Sequence, residues 1–118
     1  QEIIETLNYV GVICIEFFVD KYDNLFVNEI APRVHNSGHL TIESYNVSQF
    51  QSHLRAVCDL SPIGPQLKSK AQMLNLLGED IYKYRDQTKI EKNIYFHDYF
   101  KKEAKKGRKM GHVTKILT

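Results

Sequence analysis

Two apolar runs separated by five turn-forming residues constrain this chain more than any other feature in it. "VGVICIEFFV", residues 10–19, and "LFVNEIA", residues 25–31, are rich in β-branched and aromatic side chains, and "DKYDN" lies between them. That pattern predicts an antiparallel hairpin. Each strand carries one acid, Glu16 and Glu29. With the turn centred on Tyr22 and Asp23, Glu16 faces Glu29 directly. Period-two alternation then puts Cys14 and Phe18 on the same face, opposite Ala31 and Val27. Like charges opposed across a sheet destabilise it, and partial burial adds a desolvation cost. A divalent cation with oxygen ligands, of the kind Mg²⁺ prefers, offsets both most simply. The alternative is a solvated face on which each glutamate pairs with a nearby Lys or Arg. A one-residue change in turn length reverses a strand's facing, so pairing alone leaves both readings open.

The strand exits into "APRVHNSGH", residues 31–39, too polar for a strand and too broken for a helix. Burial cannot explain a segment with so little to bury, and function is the better account. Before the hairpin, Ile3, Ile4 and Leu7 of "QEIIETLNY" repeat at helical spacing. The chain begins with Gln1 rather than Met and reads as cut from something longer. After the loop, "LTIESYN" suits a helical turn. Ser48 and Gln51 then have capping-box spacing at the head of "SQFQSHLRAVCDL", whose Phe50, Leu54, Val57 and Cys58 form one apolar stripe. That places His53 on the exposed side of the helix. Pro62, Gly64 and Pro65 forbid continuation.

Beyond that punctuation the texture changes. "KAQMLNLLG", "KNIYFHDYF" and "GHVTKILT" read as strands and "EDIYKYR" as a helical turn. The expected fold class is α+β, with residues 1–62 as a β-hairpin plus helices and residues 63–118 as a small, mostly-β domain. His97 sits in a strand and reads as structural. At 118 residues and 42% hydrophobic, the composition is that of an ordinary soluble protein. Cys14 and Cys58 lack the spacing of a disulfide framework or zinc site and read as small core residues in a reducing compartment. No apolar run approaches the roughly 20 residues of a membrane helix, and no signal pattern opens the chain, so the cytoplasm is expected, with no membrane partner. The net charge is +2, but residues 101–109, "KKEAKKGRK", hold six basic residues against one acid. An anion is a candidate partner there. A nucleic-acid-binding module would want aromatic residues interleaved with those charges, and none are present.

The string "VNEIAPRVHNSGHLTIESYNVSQFQSHLRAV", with "VGVICIEFFV" before it and "GRKMGHVT" near the end, closely resembles the PurK family, the ATP-grasp 5-(carboxyamino)imidazole ribonucleotide synthases of purine biosynthesis. These are also described as the ATPase subunit of phosphoribosylaminoimidazole carboxylase. The resemblance runs from about Leu7 to Ile116. It implies the C-terminal part of an ATP-grasp domain followed by a small C-terminal domain, in a ligase that activates bicarbonate with ATP as carboxyphosphate. The carboxyl group then passes to the exocyclic amine of aminoimidazole ribonucleotide. By motif, Glu16 and Glu29 look like the pair holding Mg²⁺ on the ATP phosphates, with Asn28 beside them on the nucleotide side. Arg33, His35 and Asn36 resemble the loop residues that meet the ribonucleotide and the reacting carboxylate, with Ser37 also on the substrate. Lys101 and Arg108 resemble the pair gripping the 5′-phosphate.

That resemblance gives the polar loop its reason. Pro32 stiffens the strand exit, and Gly38 is expected to permit the backbone turn that carries Ser37 and the Arg, His and Asn side chains toward the metal. Arg33 offers a planar fork to oxyanions, and His35 or Asn36 can donate to a carboxylate or a ring nitrogen. His39 and His112 belong to the motifs and are expected to play supporting roles. Phe100 departs from the family, which commonly has glycine before the phosphate-gripping lysine; Lys102, Lys105 and Lys106 stand nearby as substitutes. The family's nucleotide-fold domain and most of its ATP clamp are expected before Gln1, so the 118 residues alone should be inactive. The full-length enzyme is expected to be a homodimer. The formate-using ATP-grasp transformylase is the nearest alternative, but its loop looks more like "SPRPHDTG" than "APRVHNSGH".

Overall fold

A computed structural model of the chain describes residues 2–86 and 91–117. The architecture is α+β, in the order α1 (Glu2–Thr6), β1 (Cys14–Val19), β2 (Leu25–Ala31), a 3-10 turn (Asn36–Gly38), α2 (Thr41–Ser44), α3 (Gln49–Val57), β3 (Ala71–Leu77), α4 (Asp80–Arg85), β4 (Ile94–Asp98) and β5 (Lys109–Ile116). Gln1 and Thr118, which end the expected first helix and last strand, lie outside the described residues. Two compact units result, Gln1–Ile42 with Asn46–Gln66, and Glu43–Tyr45 with Leu67–Thr118.

In the first unit β1 and β2 pair antiparallel, with Cys14 opposite Ala31 and Glu16 opposite Glu29 as expected. The register then shifts by one residue, and Phe18 faces Phe26 instead of Val27. Asn28 is the extra residue, a β-bulge of the kind that re-aims a side chain beside a functional site. The turn is organised by Asp20, whose carboxylate accepts hydrogen bonds from the backbone N–H of Tyr22 and Asn24 at 2.8 and 3.0 Å. Asp23 takes the left-handed conformation, φ 62°, which Asp tolerates better than most residues.

Helix α3 starts where Ser48 predicted. The Ser48 hydroxyl accepts from Gln51 N–H at 3.2 Å and the Gln51 side chain accepts from Ser48 N–H at 2.8 Å. The helix ends before the prolines act, because Asp59 adopts φ 53° and the Leu60 N–H reaches back to Arg55 O at 2.8 Å, a Schellman-type stop. Two expectations for this helix fail. Of the apolar stripe, Phe50 is half-buried but Leu54, Val57 and Cys58 are exposed, so Cys58 is no core residue. A helical stripe is covered only where a second layer lies against it, and Leu54 and Cys58 instead line a groove with Val47, Leu60 and Ile63. His53 is half-buried rather than solvent-facing, since its Nδ1 accepts the Val12 N–H at 3.2 Å.

The second unit is an antiparallel sheet of order β3-β5-β4. Leu76 of β3, Ile81 of α4, and Met110 and Val113 of the central strand form the core, with Tyr84, Ile94 and Phe96 against it. Arg85 ties α4 to β4 through two hydrogen bonds to the Asp98 carboxylate, at 2.6 and 2.9 Å. Those bonds hold Asp98 below the usual carboxylate range. His97 lies in β4 as expected, with its Nε2 2.6 Å from Glu43 Oε1 and its ring stacked on His112. Tyr99 OH meets His112 Nδ1 at 2.8 Å.

Two positions in this sheet yield tests of the backbone. A Cβ on Gly111 would clash with the His97 carbonyl oxygen on the paired strand. Gly111→Ala is therefore expected to destabilise the unit by about 1–3 kcal/mol, the usual range for overpacking, read as a lowered denaturant midpoint. An unchanged midpoint would mean that β4 and β5 are not so closely paired. Phe100 occupies the left-handed region at φ 53° and the residue is 84% exposed, so the side chain gains little from burial there. Since that conformation costs a non-glycine residue about 1–2 kcal/mol, Phe100→Gly should recover part of it and raise the midpoint.

Candidate active site

The hairpin and the loop after it build one polar cluster in the first unit. Glu16 and Glu29 face each other across β1 and β2, and the His35 ring stands between their carboxylates. Its Nδ1 lies 3.3 Å from Glu16 Oε1 and its Nε2 lies 3.0 Å from Glu29 Oε1. The bulged Asn28 donates from Nδ2 to Glu16 Oε2 at 3.4 Å. The offset for the opposed acids within the protein is thus an imidazole and an amide, neither of which strand spacing alone identified. Side-chain exposures of 34% for Glu16 and 50% for Glu29 leave carboxylate oxygen accessible to a ligand, whereas His35, at 12%, is largely enclosed.

His35 is placed by its backbone. Gln49, in the first turn of α3, accepts from the His35 N–H at 2.9 Å and donates to the His35 carbonyl at 2.8 Å, closing both backbone groups as a neighbouring strand would. Gln49 Nε2 also meets His39 Nδ1 at 2.8 Å, and the His39 ring stacks on Phe50. Gly38 makes room for this clamp, because a Cβ there would sit 2.5 Å from Gln49 Oε1. Gly38 is needed for space rather than for the backbone freedom expected of it: its φ is not among the positive ones. Gln49 is absent from the sequence reading, since a glutamine at a helix start gives no sign that it will reach back fourteen residues.

The other expected residues divide. Ser37 joins the cluster, with Oγ 2.8 Å from His35 Nδ1 and 3.8 Å from Cys14 Sγ. Cys14, expected in a core, is half-buried and borders this cluster. Arg33 is exposed and its Nη1 donates to the Val34 carbonyl at 2.9 Å; it shares a cleft with Cys14, His35, Ser37 and Gln49. Asn36 opens the 3-10 turn, its carbonyl accepting from His39 N–H. Lys101 and Arg108 belong to the second unit. Lys101 Nζ donates to Lys109 O at 2.6 Å and lies over the Tyr99 ring, and Arg108 is exposed with one long bond, 3.4 Å, to Glu103 O.

A hairpin bearing opposed carboxylates, followed by a small antiparallel sheet, puts this chain in the ATP-grasp class: residues 1–50 match the ATP-grasp domain and residues 71–118 match the phosphoribosylaminoimidazole carboxylase C-terminal domain. Within that class, the chain belongs to the N5-carboxyaminoimidazole ribonucleotide synthase family. It is 48% identical over 116 residues to the N5-carboxyaminoimidazole ribonucleotide synthase of Brucella melitensis, covering 98% of this chain and 32% of that protein. Its fold matches the N5-carboxyaminoimidazole synthetase of Staphylococcus aureus complexed with ADP, with TM-score 0.89 and 42% identity over 99% of this chain and 32% of that one. It also matches the Aspergillus clavatus synthase in complex with ADP and 5-aminoimidazole ribonucleotide, with TM-score 0.80 and 41% identity over 91% of this chain and 30% of that one. The chain spans about a third of the length of the curated relatives it matches.

Proposed function

We propose that the complete enzyme to which this chain contributes uses ATP to activate bicarbonate and passes the carboxyl group to the exocyclic amine of aminoimidazole ribonucleotide, releasing ADP and phosphate. The observation that carries this reading is the opposed Glu16 and Glu29 pair with His35 locked between them, in a chain that matches such synthases along nearly its whole length. Two carboxylates with accessible oxygens, flanked by the Asn28 amide, form a hard donor set that suits Mg²⁺. Such an ion, when bound, neutralises charge on the ATP phosphates.

The chain's own residues do the rest of this half of the work. His35, fixed by Gln49, stands between the two carboxylates, with Nε2 toward Glu29 and Nδ1 toward Glu16. Arg33, His35, Asn36 and Ser37 meet the ribonucleotide and the reacting carboxylate, and Lys101 with Arg108 grips the 5′-phosphate. Residues 1–62 serve as the ATP-grasp portion and 63–118 as the small domain. The enzyme acts as a cytoplasmic homodimer. Among the described residues no helix is long and apolar enough to cross a membrane. The 118 residues contain no Gly-rich phosphate loop, and alone they are expected to be inactive.

Formate is the substrate that would make this the related transformylase. In the complete enzyme, phosphate release from ATP should require bicarbonate and aminoimidazole ribonucleotide together, and formate should not replace bicarbonate. Turnover that follows formate would transfer the chain to the transformylase reading.

A further inference from the structure

We propose that Cys14, Glu16 and His35 form a site for a thiophilic divalent cation of the zinc type, distinct in its ligands from a site for a hard cation on Glu16 and Glu29. The Cys14 thiol sulfur, a Glu16 carboxylate oxygen and a His35 ring nitrogen all lie within 4.8 Å of one another. Ligands around one zinc, at about 2.0–2.3 Å each, stand within that spread.

The hydrogen bonds around His35 supply an independent reason. His35 Nδ1 accepts the Ser37 N–H at 3.4 Å, while Nε2 lies 3.0 Å from Glu29 Oε1, where only an N–H can face a carboxylate favourably. Nδ1 in turn stands 3.3 Å from Glu16 Oε1, so that one cation can take both atoms as ligands. The arrangement of Glu29 behind the ring is the carboxylate–histidine pairing that orients a metal-bound imidazole.

Sulfur, nitrogen and oxygen together select zinc-like ions over Mg²⁺, and three protein ligands leave a fourth position open. The Ser37 hydroxyl, 2.8 Å from Nδ1 and 3.8 Å from the sulfur, is the group that must turn aside or fill that position. On binding, the Cys14 S–H bond breaks, its proton leaves to solvent and the thiolate pair forms the metal–sulfur bond. Occupancy takes Glu16 away from a hard cation, a consequence that rests on the metal reading proposed above; the site itself does not.

Cobalt(II) serves as a coloured probe for zinc. Titrated into the reduced chain, it should produce a thiolate-to-cobalt charge-transfer band that saturates at about one equivalent, withstands excess Mg²⁺ and disappears on adding Zn²⁺. Cys14→Ser should cut the band to less than about a tenth, and Cys58→Ser should leave it intact. No band, a band bleached by Mg²⁺, or one that survives Cys14→Ser would overturn the site. A second measurement needs no variant: one equivalent of Zn²⁺ should slow alkylation of Cys14 at least about tenfold and leave exposed Cys58 unaffected, with peptide masses assigning the two thiols. Equal rates at Cys14 with and without Zn²⁺ would overturn it equally. Loss of the Mg²⁺ dependence of ATP turnover would bear on the hard-cation reading alone.

Discussion

Glu29→Gln is expected to lower ATP turnover by the complete enzyme on the order of 100-fold or more, with little effect on folding. Groups that merely support a metal ligand typically cost 10–100-fold when removed, and a ligand itself should cost at least the upper end of that range. The glutamine keeps the size of the side chain and an oxygen that can accept from His35 Nε2, now 3.0 Å from Glu29 Oε1. It also removes one of two like charges opposed across the sheet, so the hairpin has no electrostatic reason to be weakened. The two effects separate in one pair of measurements, a magnesium titration of turnover and a thermal melt. Unchanged turnover at every magnesium concentration would remove Glu29 from the site, and a large loss of melting temperature would show that its role is structural.

Arg108→Ala should act on substrate capture instead. Its guanidinium is exposed and spends little on the protein, with one long bond to the Glu103 carbonyl. Charge-assisted hydrogen bonds to a phosphate are typically worth about 1.5–3 kcal/mol, which corresponds to roughly tenfold to a hundredfold weaker affinity. A phosphate remote from the bond-making atoms is held alike in ground state and transition state, so the loss should appear in KM for the ribonucleotide with kcat little changed. KM for ATP should hardly move. Lys102→Ala, also exposed on the same basic run, is the control and should be close to silent. A rise in KM for ATP alone would assign the basic run to the wrong ligand.

The hairpin was legible because strand composition and turn residues are local signals, and Glu16 opposite Glu29 follows from them. The bulge at Asn28 was not, since nothing local announces that one residue will be left unpaired, and Phe18 consequently met Phe26 rather than Val27. The Ser48 capping box was legible for the same local reason. Burial was less so: the stripe of Leu54, Val57 and Cys58 has helical spacing but stays exposed, because spacing describes a face and says nothing of what lies against it.

In the site, the acids and the loop could be named from the motif, but their bracing could not. His35 between two carboxylates, Gln49 clamping its backbone and Cys14 beside it are contacts across six to twenty-one residues of sequence, set by how the loop folds back on the strand and on α3. Gly38 teaches the same point, since its absent side chain matters for Gln49 rather than for the chain's own turn.

Oxygen transfer from bicarbonate to phosphate tests the central claim most directly. If bicarbonate attacks the γ-phosphorus of ATP, one of its oxygens becomes the bridge of carboxyphosphate, and it stays with phosphorus when the carbon leaves for the amine. The complete enzyme, supplied with ATP, aminoimidazole ribonucleotide and ¹⁸O-labelled bicarbonate, should therefore release inorganic phosphate carrying one ¹⁸O per turnover. Phosphate without label while carboxylated ribonucleotide accumulates would contradict the acyl-phosphate route, and labelled phosphate from a parallel reaction with ¹⁸O-labelled formate in place of bicarbonate would contradict the assignment of the substrate.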